Sequence, residues 1–229
     1  MSSLVPQLRQ RFRQGSVWRQ NLVYRDEDDD INKMTDLCFE RGEITIADWE
    51  LEKGLNQPLI EPNDETLPLE VTTEHIANQY RDDITDDIDW NLVRDVLHKG
   101  RYADEYDTKI KSGNAVGCIR RFLFEASKND AVLINSSRGT AVAIFDGPAV
   151  YDPEQPQTDI DRNHVFRRSV KFMHDEGGEI ITFESSELPQ PLKPNQLTMT
   201  SVNRDDLQIV LRQAEALTTL ADTLALTEE

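Results

Sequence analysis

The pattern of hydrophobic and polar positions changes texture near residue 105. Before that point apolar residues recur at helical spacing in short segments. Ile31 to Phe39 and Ile44 to Leu55 read as amphipathic helices, the second with Asp48, Glu50 and Glu52 on its wet side and Gly54 near its stop. Gln57 to Leu69 holds Pro58, Pro62 and Pro68 without a period and reads as a loop. Val71 to Ile84 and Ile88 to Leu97 read as helices, ended by Gly100. The leading stretch, Gln7 to Arg19, is rich in Arg and Gln and runs into the acidic block Asp26 to Asp30. It reads as a solvated helix and its flank, with a nucleic-acid-binding tail as the alternative.

From Gly113 onward short apolar runs alternate with turn residues. Cys118 to Ala126 predicts a helix with Ile119, Phe122 and Leu123 on one side. Ala131 to Ile134 and Thr140 to Phe145 are β-rich, and the residues between them, Asn135 to Gly139, have hairpin length and composition. Gly147-Pro148 predicts a turn before a third run, Ala149 to Tyr151, and Asp152 to Asn163 reads as a polar loop. Val165 to Met173 alternates, Glu179 to Phe183 follows a Gly177-Gly178 turn, and Leu197 to Val202 reads as a last strand. Closely spaced short strands of this kind predict a small mixed barrel rather than a βαβ fold. At the C-terminus Leu207, Val210, Ala214, Leu217, Ala221 and Leu224 recur at spacings of 3 and 4, with Asp205 or Asp206 placed to cap a helix. That helix packs on its own barrel or, in the alternative, pairs with a second copy as a homodimer.

Charge sharpens the division. Of the net −18, residues 1–20 contribute +4, residues 21–110 contribute −16 from 25 acids against 9 bases, and residues 111–229 contribute −6. Such acidity repels a nucleic-acid backbone at long range, so contact with one requires a local basic patch. Asp (24) exceeds Glu (19) and Arg (17) exceeds Lys (8), a bias that suits a salt-adapted cytoplasm. No apolar run approaches the roughly 18 residues of a membrane span, and the N-terminus lacks a secretory pattern, so a cytoplasmic protein without membrane association is expected. Cys38 and Cys118 stand 80 residues apart with no ligand-spaced companion, which argues for reduced thiols over a zinc site or disulfide framework. The four histidines are scattered, and there is no Walker, dinucleotide or nucleophile-elbow glycine pattern. Asp107-Thr108-Lys109 lacks a preceding strand Asp and reads as a solvated stretch rather than a nuclease motif. No catalytic residue, metal or cofactor is therefore expected.

Four segments of the second region, in order, resemble a known group. Ile119-Arg120-Arg121-Phe122 with Lys128-Asn129-Asp130-Ala131-Val132, then Thr140 to Ile144 with Gly147-Pro148-Ala149-Val150-Tyr151-Asp152, then His164 to Phe172, and finally Leu188-Pro189, Pro191-Leu192 and Leu197 to Thr200, are similar to motifs of the PUA-like superfamily. The likeness is greatest to the EVE-like and YTH-like modules at the N-terminus of Mrr-type restriction proteins. It covers about 90 residues, 113–202; Asn129 stands where the group usually has Gly, and Phe172 where it has Trp. The resemblance implies a module that holds one flipped or modified base of DNA or RNA in an aromatic pocket while basic residues grip the flanking phosphates. It further implies a sensor in a restriction or antiviral defence system whose chemistry comes from a separate nuclease or other effector.

The residues it points to are Phe122, Tyr151, Phe166 and Phe172 as pocket walls and Arg120, Arg121, Arg138, Arg167 and Arg168 as phosphate grips. Phe122 and Phe172 equally suit a core, and Arg167 and Arg168, on opposite faces of a strand, equally suit a structural ion pair. The expected architecture is α+β: an acidic, mainly helical region of unknown role over residues 1–105, then a PUA-like β-barrel with a C-terminal helix over residues 106–229. The alternative function is a protein–protein adaptor whose barrel has lost its pocket.

Overall fold

The computed structural model describes residues 15–22, 28–47, 73–81, 88–100, 109–152, 164–175, 177–188, 190–193 and 198–203, and positions 205, 206, 208 and 212. The two halves of the chain build one α+β body. Strand β1 (Val17–Asn21) is followed by helix α1 (Asp28–Arg41), β2 (Glu43–Ile46), α2 (Thr73–Arg81), α3 (Trp90–Gly100) and α4 (Lys109–Arg120). A π-helical turn, Arg121–Glu125, extends α4 before β3 (Ala131–Ser136), β4 (Gly139–Tyr151), β5 (Phe166–Phe172), β6 (Thr182–Phe183), a 3₁₀ turn (Gln190–Leu192) and β7 (Met199–Ser201). The seven strands form a single mixed sheet in the order β2-β5-β4-β3-β1-β7, with β6 beside β4. Among the described strands only β1 and β3 pair in parallel.

Residues 1–105 are not purely helical. Val17 to Arg19, expected in a solvated helix and its flank, lie in strand β1 in the interior of the sheet, and Ile44 to Ile46, expected to open a helix, lie in edge strand β2. Gly42 marks the break: with φ of +62° it ends α1 in the left-handed conformation that glycine adopts without strain, and the chain turns directly into β2. One cluster of buried residues joins Trp18, Met34, Ile76 and Val93 to Phe122, Phe145 and Phe166, so the division at residue 105 does not separate two cores. The seam-like residues of the C-terminal segment, Leu207 to Leu224, lie outside the described residues.

The hairpin β3–β4 is the best-specified unit. Its strands are buried on both faces, by Val132, Ile134, Ala141, Ala143 and Phe145 on one side and by Ala131, Leu133 and Val142 on the other. Strands covered twice read as continuous apolar runs. Gly147-Pro148 is not the predicted turn, since β4 continues through it with a register shift between Phe145 and Ala149. Proline has no N–H for a ladder, so a bulge accommodates it where a regular pair would not.

The hydrogen-bonded sheet remains open among the described residues rather than closing into the expected barrel, but it is strongly curled. Val170 N–H bonds to Gly42 O at 2.9 Å, and by antiparallel alternation the carbonyl of Thr45 then points off the free side of β2. Gln20 of β1, four strands away in the ladder order, donates its Nε2 to that carbonyl at 2.8 Å. Helix α1 packs on β2 and β3 across the same gap, where Thr45 Oγ1 meets Met34 Sδ at 3.9 Å and His164 Nδ1 at 3.0 Å. A side-chain bond and a helix thus cover the seam that no ladder closes.

Asp130 fastens the start of β3 to β1. Its buried carboxylate accepts Ser16 N–H at 2.8 Å, Trp18 Nε1–H at 2.8 Å and Ser127 N–H at 2.9 Å. Asn129 beside it has φ of +74°, a conformation Asn tolerates better than most side chains. Replacing Asp130 with Ala strands three donors, two of them main-chain, and should lower unfolding free energy by about 3 kcal/mol in urea titrations. Asn at 130 keeps one acceptor oxygen and should lose less.

Candidate functional site

The nine residues singled out from sequence do not converge on one cleft. Phe122 and Phe166 are fully buried, and Phe172 is buried against the Phe39 ring with centroids 4.8 Å apart. These rings fill the core, as large apolar side chains do by default. Arg167 pairs with Glu43 at 2.8 Å, both side chains largely buried, which fixes β5 to β2. Arg121 donates to Met199 O at 3.0 Å and ties the π turn to β7. Arg138, at the hairpin tip, pairs with Asp36 and lies over Phe39, 5.7 Å from its centroid. Arg120 forms an exposed pair with Glu125 at 3.2 Å, a contact of little energetic weight. All these arginines are engaged within the molecule.

Arg168 is the most constrained of them. It is buried on the core side of β5, its guanidinium 4.5 Å from the Phe145 centroid. Nη1 donates to Phe122 O and Nη2 to Ala126 O, both at 2.7 Å, and Nε donates to Gly147 O at 3.0 Å. Burial draws its pKa below the usual arginine value, opposed by Tyr80 and Asp130. Two of the carbonyls it takes, Phe122 O and Ala126 O, lie where a helix end leaves carbonyls without partners and a cation is favoured.

Tyr151, unlike the three buried phenylalanines, lies on a recess. It lines a groove of about 520 Å³ between α2 and the outer part of β4, together with Ala77, Asn78, Tyr80, Arg81, Pro148, Ala149 and Val150. Its volume falls in the range of roughly 300–1,000 Å³ typical of small-ligand sites. The groove arises because β4 outruns β3: their pairing ends at Ala131 opposite Ile144, whereas β4 runs on to Tyr151. Asp152 N–H bonds to Val165 O, so alternation turns the N–H of Ala149 away from β5 and toward α2. There it donates to the Tyr80 hydroxyl at 2.8 Å.

Helix α2 presents Ala77 and Arg81, one turn apart, to the groove, with Tyr80 on one flank and Asn78 on the other. The small Ala77 leaves the room that a longer side chain would fill. Tyr80 packs edge-on against Phe124 at 5.4 Å, and Trp90 packs edge-on against the same ring at 5.6 Å. The Tyr151 ring is 5.7 Å from buried Phe166, so each tyrosine is braced by a phenylalanine. Val150 is 55% exposed on the rim. Sequence reading missed Ala77, Asn78, Tyr80 and Arg81; their run on an otherwise ordinary amphipathic helix carries no local signal.

Among the described residues no group of three His, Cys, Asp or Glu is placed to hold a metal ion, and no helix is long and apolar enough to cross a membrane. The chain matches no family model, no curated protein and no solved structure.

Both cysteines are buried and unlinked. Burial pushes the Cys38 thiol up to about 12, and burial likewise raises Cys118. The unfolded chain therefore releases these protons first, near the ordinary thiol value of 9.0, while the folded chain retains them. The associated stability is fully present below pH 9 and is lost as pH rises toward 12. Unfolding titrations at increasing pH should show this decline, and a Cys38→Ala variant should show less of it. At pH 8 neither thiol should react with a thiol reagent until denaturant is added.

Proposed function

We propose that the protein is a binding module that seats one base of DNA or RNA, modified where the groove selects it, between α2 and β4. The observation that carries this reading is the pairing of Tyr80 and Tyr151, contributed by separate elements and each braced from behind, around a groove of about 520 Å³ with Asn78 and Arg81 on its border. Tyrosine faces stack on any base, and a carboxamide offers both a donor and an acceptor to a base edge. The PUA-like resemblance of residues 113–202 supports a base ligand in kind. Asn129, where the resembled motif usually has Gly, has the positive φ that a glycine position implies. The ligand reaches the groove flipped or single-stranded, and any chemistry on it belongs to a separate nuclease or other effector of a restriction or defence system. The protein acts in the cytoplasm in this reading.

Few phosphate contacts accompany such binding. The five arginines expected to grip phosphates are engaged internally, and the net charge of −18 opposes a polyanion. A second reading, a protein–protein adaptor, is favoured by the same filled core.

Fluorescence anisotropy against short DNA and RNA oligonucleotides bearing plain, methylated, hydroxymethylated and glucosylated bases, in a salt series, separates the two. Binding of one base type with a shallow salt slope is expected. Tyr151→Ala should weaken it by about 5- to 100-fold, the loss of one stacking partner, and Arg167→Ala should leave the affinity of the folded protein unchanged. Failure to bind any of them at low salt would overturn the base reading in favour of the adaptor.

A further inference from the structure

We infer that Arg168, which lines no part of the groove, is the positioning residue that sets the distance between its two walls. The inference rests on the groove being the binding site, as proposed above, but its geometry stands independently. One wall is β4 from Pro148 onward, and the residue just before it, Gly147, gives its carbonyl to Arg168 Nε at 3.0 Å. The other wall is α2, whose Tyr80 ring packs on Phe124 of the π turn. Arg168 holds that turn at both ends, through Phe122 O and Ala126 O at 2.7 Å each. A single planar group therefore carries both walls, and the Ala149 N–H to Tyr80 hydroxyl bond across them reports their spacing.

Arginine suits this role in a way lysine does not. The guanidinium is a rigid fork of five donors whose directions are fixed relative to one another, so three acceptors bound to it cannot shift independently. An ammonium is a compact donor on a flexible stem and leaves the three carbonyls free to separate. The bulge is held from its other side by Lys171, whose Nζ donates to Asp146 Oδ1 at 2.7 Å, an exposed pair that cannot substitute for a buried clasp. π turns of this kind frequently sit at functional sites, where they re-aim a helix end.

The test is amide hydrogen exchange by NMR on the full chain, wild type against Arg168→Lys, comparing Ala149 with the amides of central strand β3. Selective acceleration at Ala149 by tenfold or more, with β3 unchanged, is expected. In the same variant the affinity of the folded protein for the oligonucleotide series should fall at least tenfold. Equal acceleration at Ala149 and in β3 would assign Arg168 to global stability alone and overturn the inference, as would no change at either. Should Arg168→Lys fail to fold, Phe124→Leu, which loosens the α2 wall without touching the guanidinium, must reproduce the selective response at Ala149. A selective response in a protein that binds no oligonucleotide would support the positioning role and overturn the base reading.

Discussion

A positive charge buried with no ion-pairing carboxylate among the described residues, that of Arg168, is the constraint around which this fold is arranged. Moving a guanidinium out of water is costly, by several kcal/mol even after relaxation, and the described residues place no acid within ion-pair distance of Arg168. What offsets the cost is three main-chain carbonyls and the face of Phe145. Two of those carbonyls belong to the end of α4 and its π turn, where the aligned peptide dipoles already favour a cation. The charge is thus satisfied only when β5, the bulge of β4 and the end of the helix are all in place. The clasp makes the formation of the three mutually dependent.

The same dependence explains which parts of the fold are legible in the sequence. The two strands of hairpin β3–β4 are legible at Ala131 to Ile134 and Thr140 to Phe145 because their own β-rich runs decide them. Asn135, Ser136 and Gly139, expected in the loop, extend the ladder to a tight turn where Gly139 has φ of +107°. β1 is not legible, because Arg19 and Gln20 look like surface residues until strand β3 and the carbonyl of Thr45 are present to receive them. β2 is only four residues long, and Ile44 and Ile46 suit the start of an amphipathic helix as well as an edge strand. Gly147-Pro148 names a turn by composition, whereas the Arg168 bond to Gly147 O holds it as a bulge within one long strand.

For the candidate site the limit is similar. The sequence points to aromatic and arginine residues by type, and type does not distinguish a ring that fills a core from one that walls a pocket. Phe166 and Tyr151 illustrate the ambiguity: they pair in the ladder and their rings approach to 5.7 Å, yet one is fully buried and the other borders the groove. Arg167 and Arg168 are adjacent, point to opposite faces and are both buried, one by an acid and one by carbonyls. Partners from distant parts of the chain made that difference, and Glu43 is 124 residues away from Arg167.

The position of the groove follows from what a helix can and cannot do for a strand. Where β4 passes the end of β3 it needs a neighbour, and α2 occupies that side. A helix has spent its own main-chain donors and acceptors internally, so it cannot continue a ladder; it offers side chains only. One of them, Tyr80, meets one main-chain group, Ala149 N–H, and the shortness of Ala77 leaves the remainder as space. A strand in that place would have produced more sheet and no groove. Substituting a helix for the missing strand creates a recess with aromatic sides and polar borders in a molecule whose central core is otherwise filled by its own rings, and that is why the recess lies outside the sheet rather than within its curl.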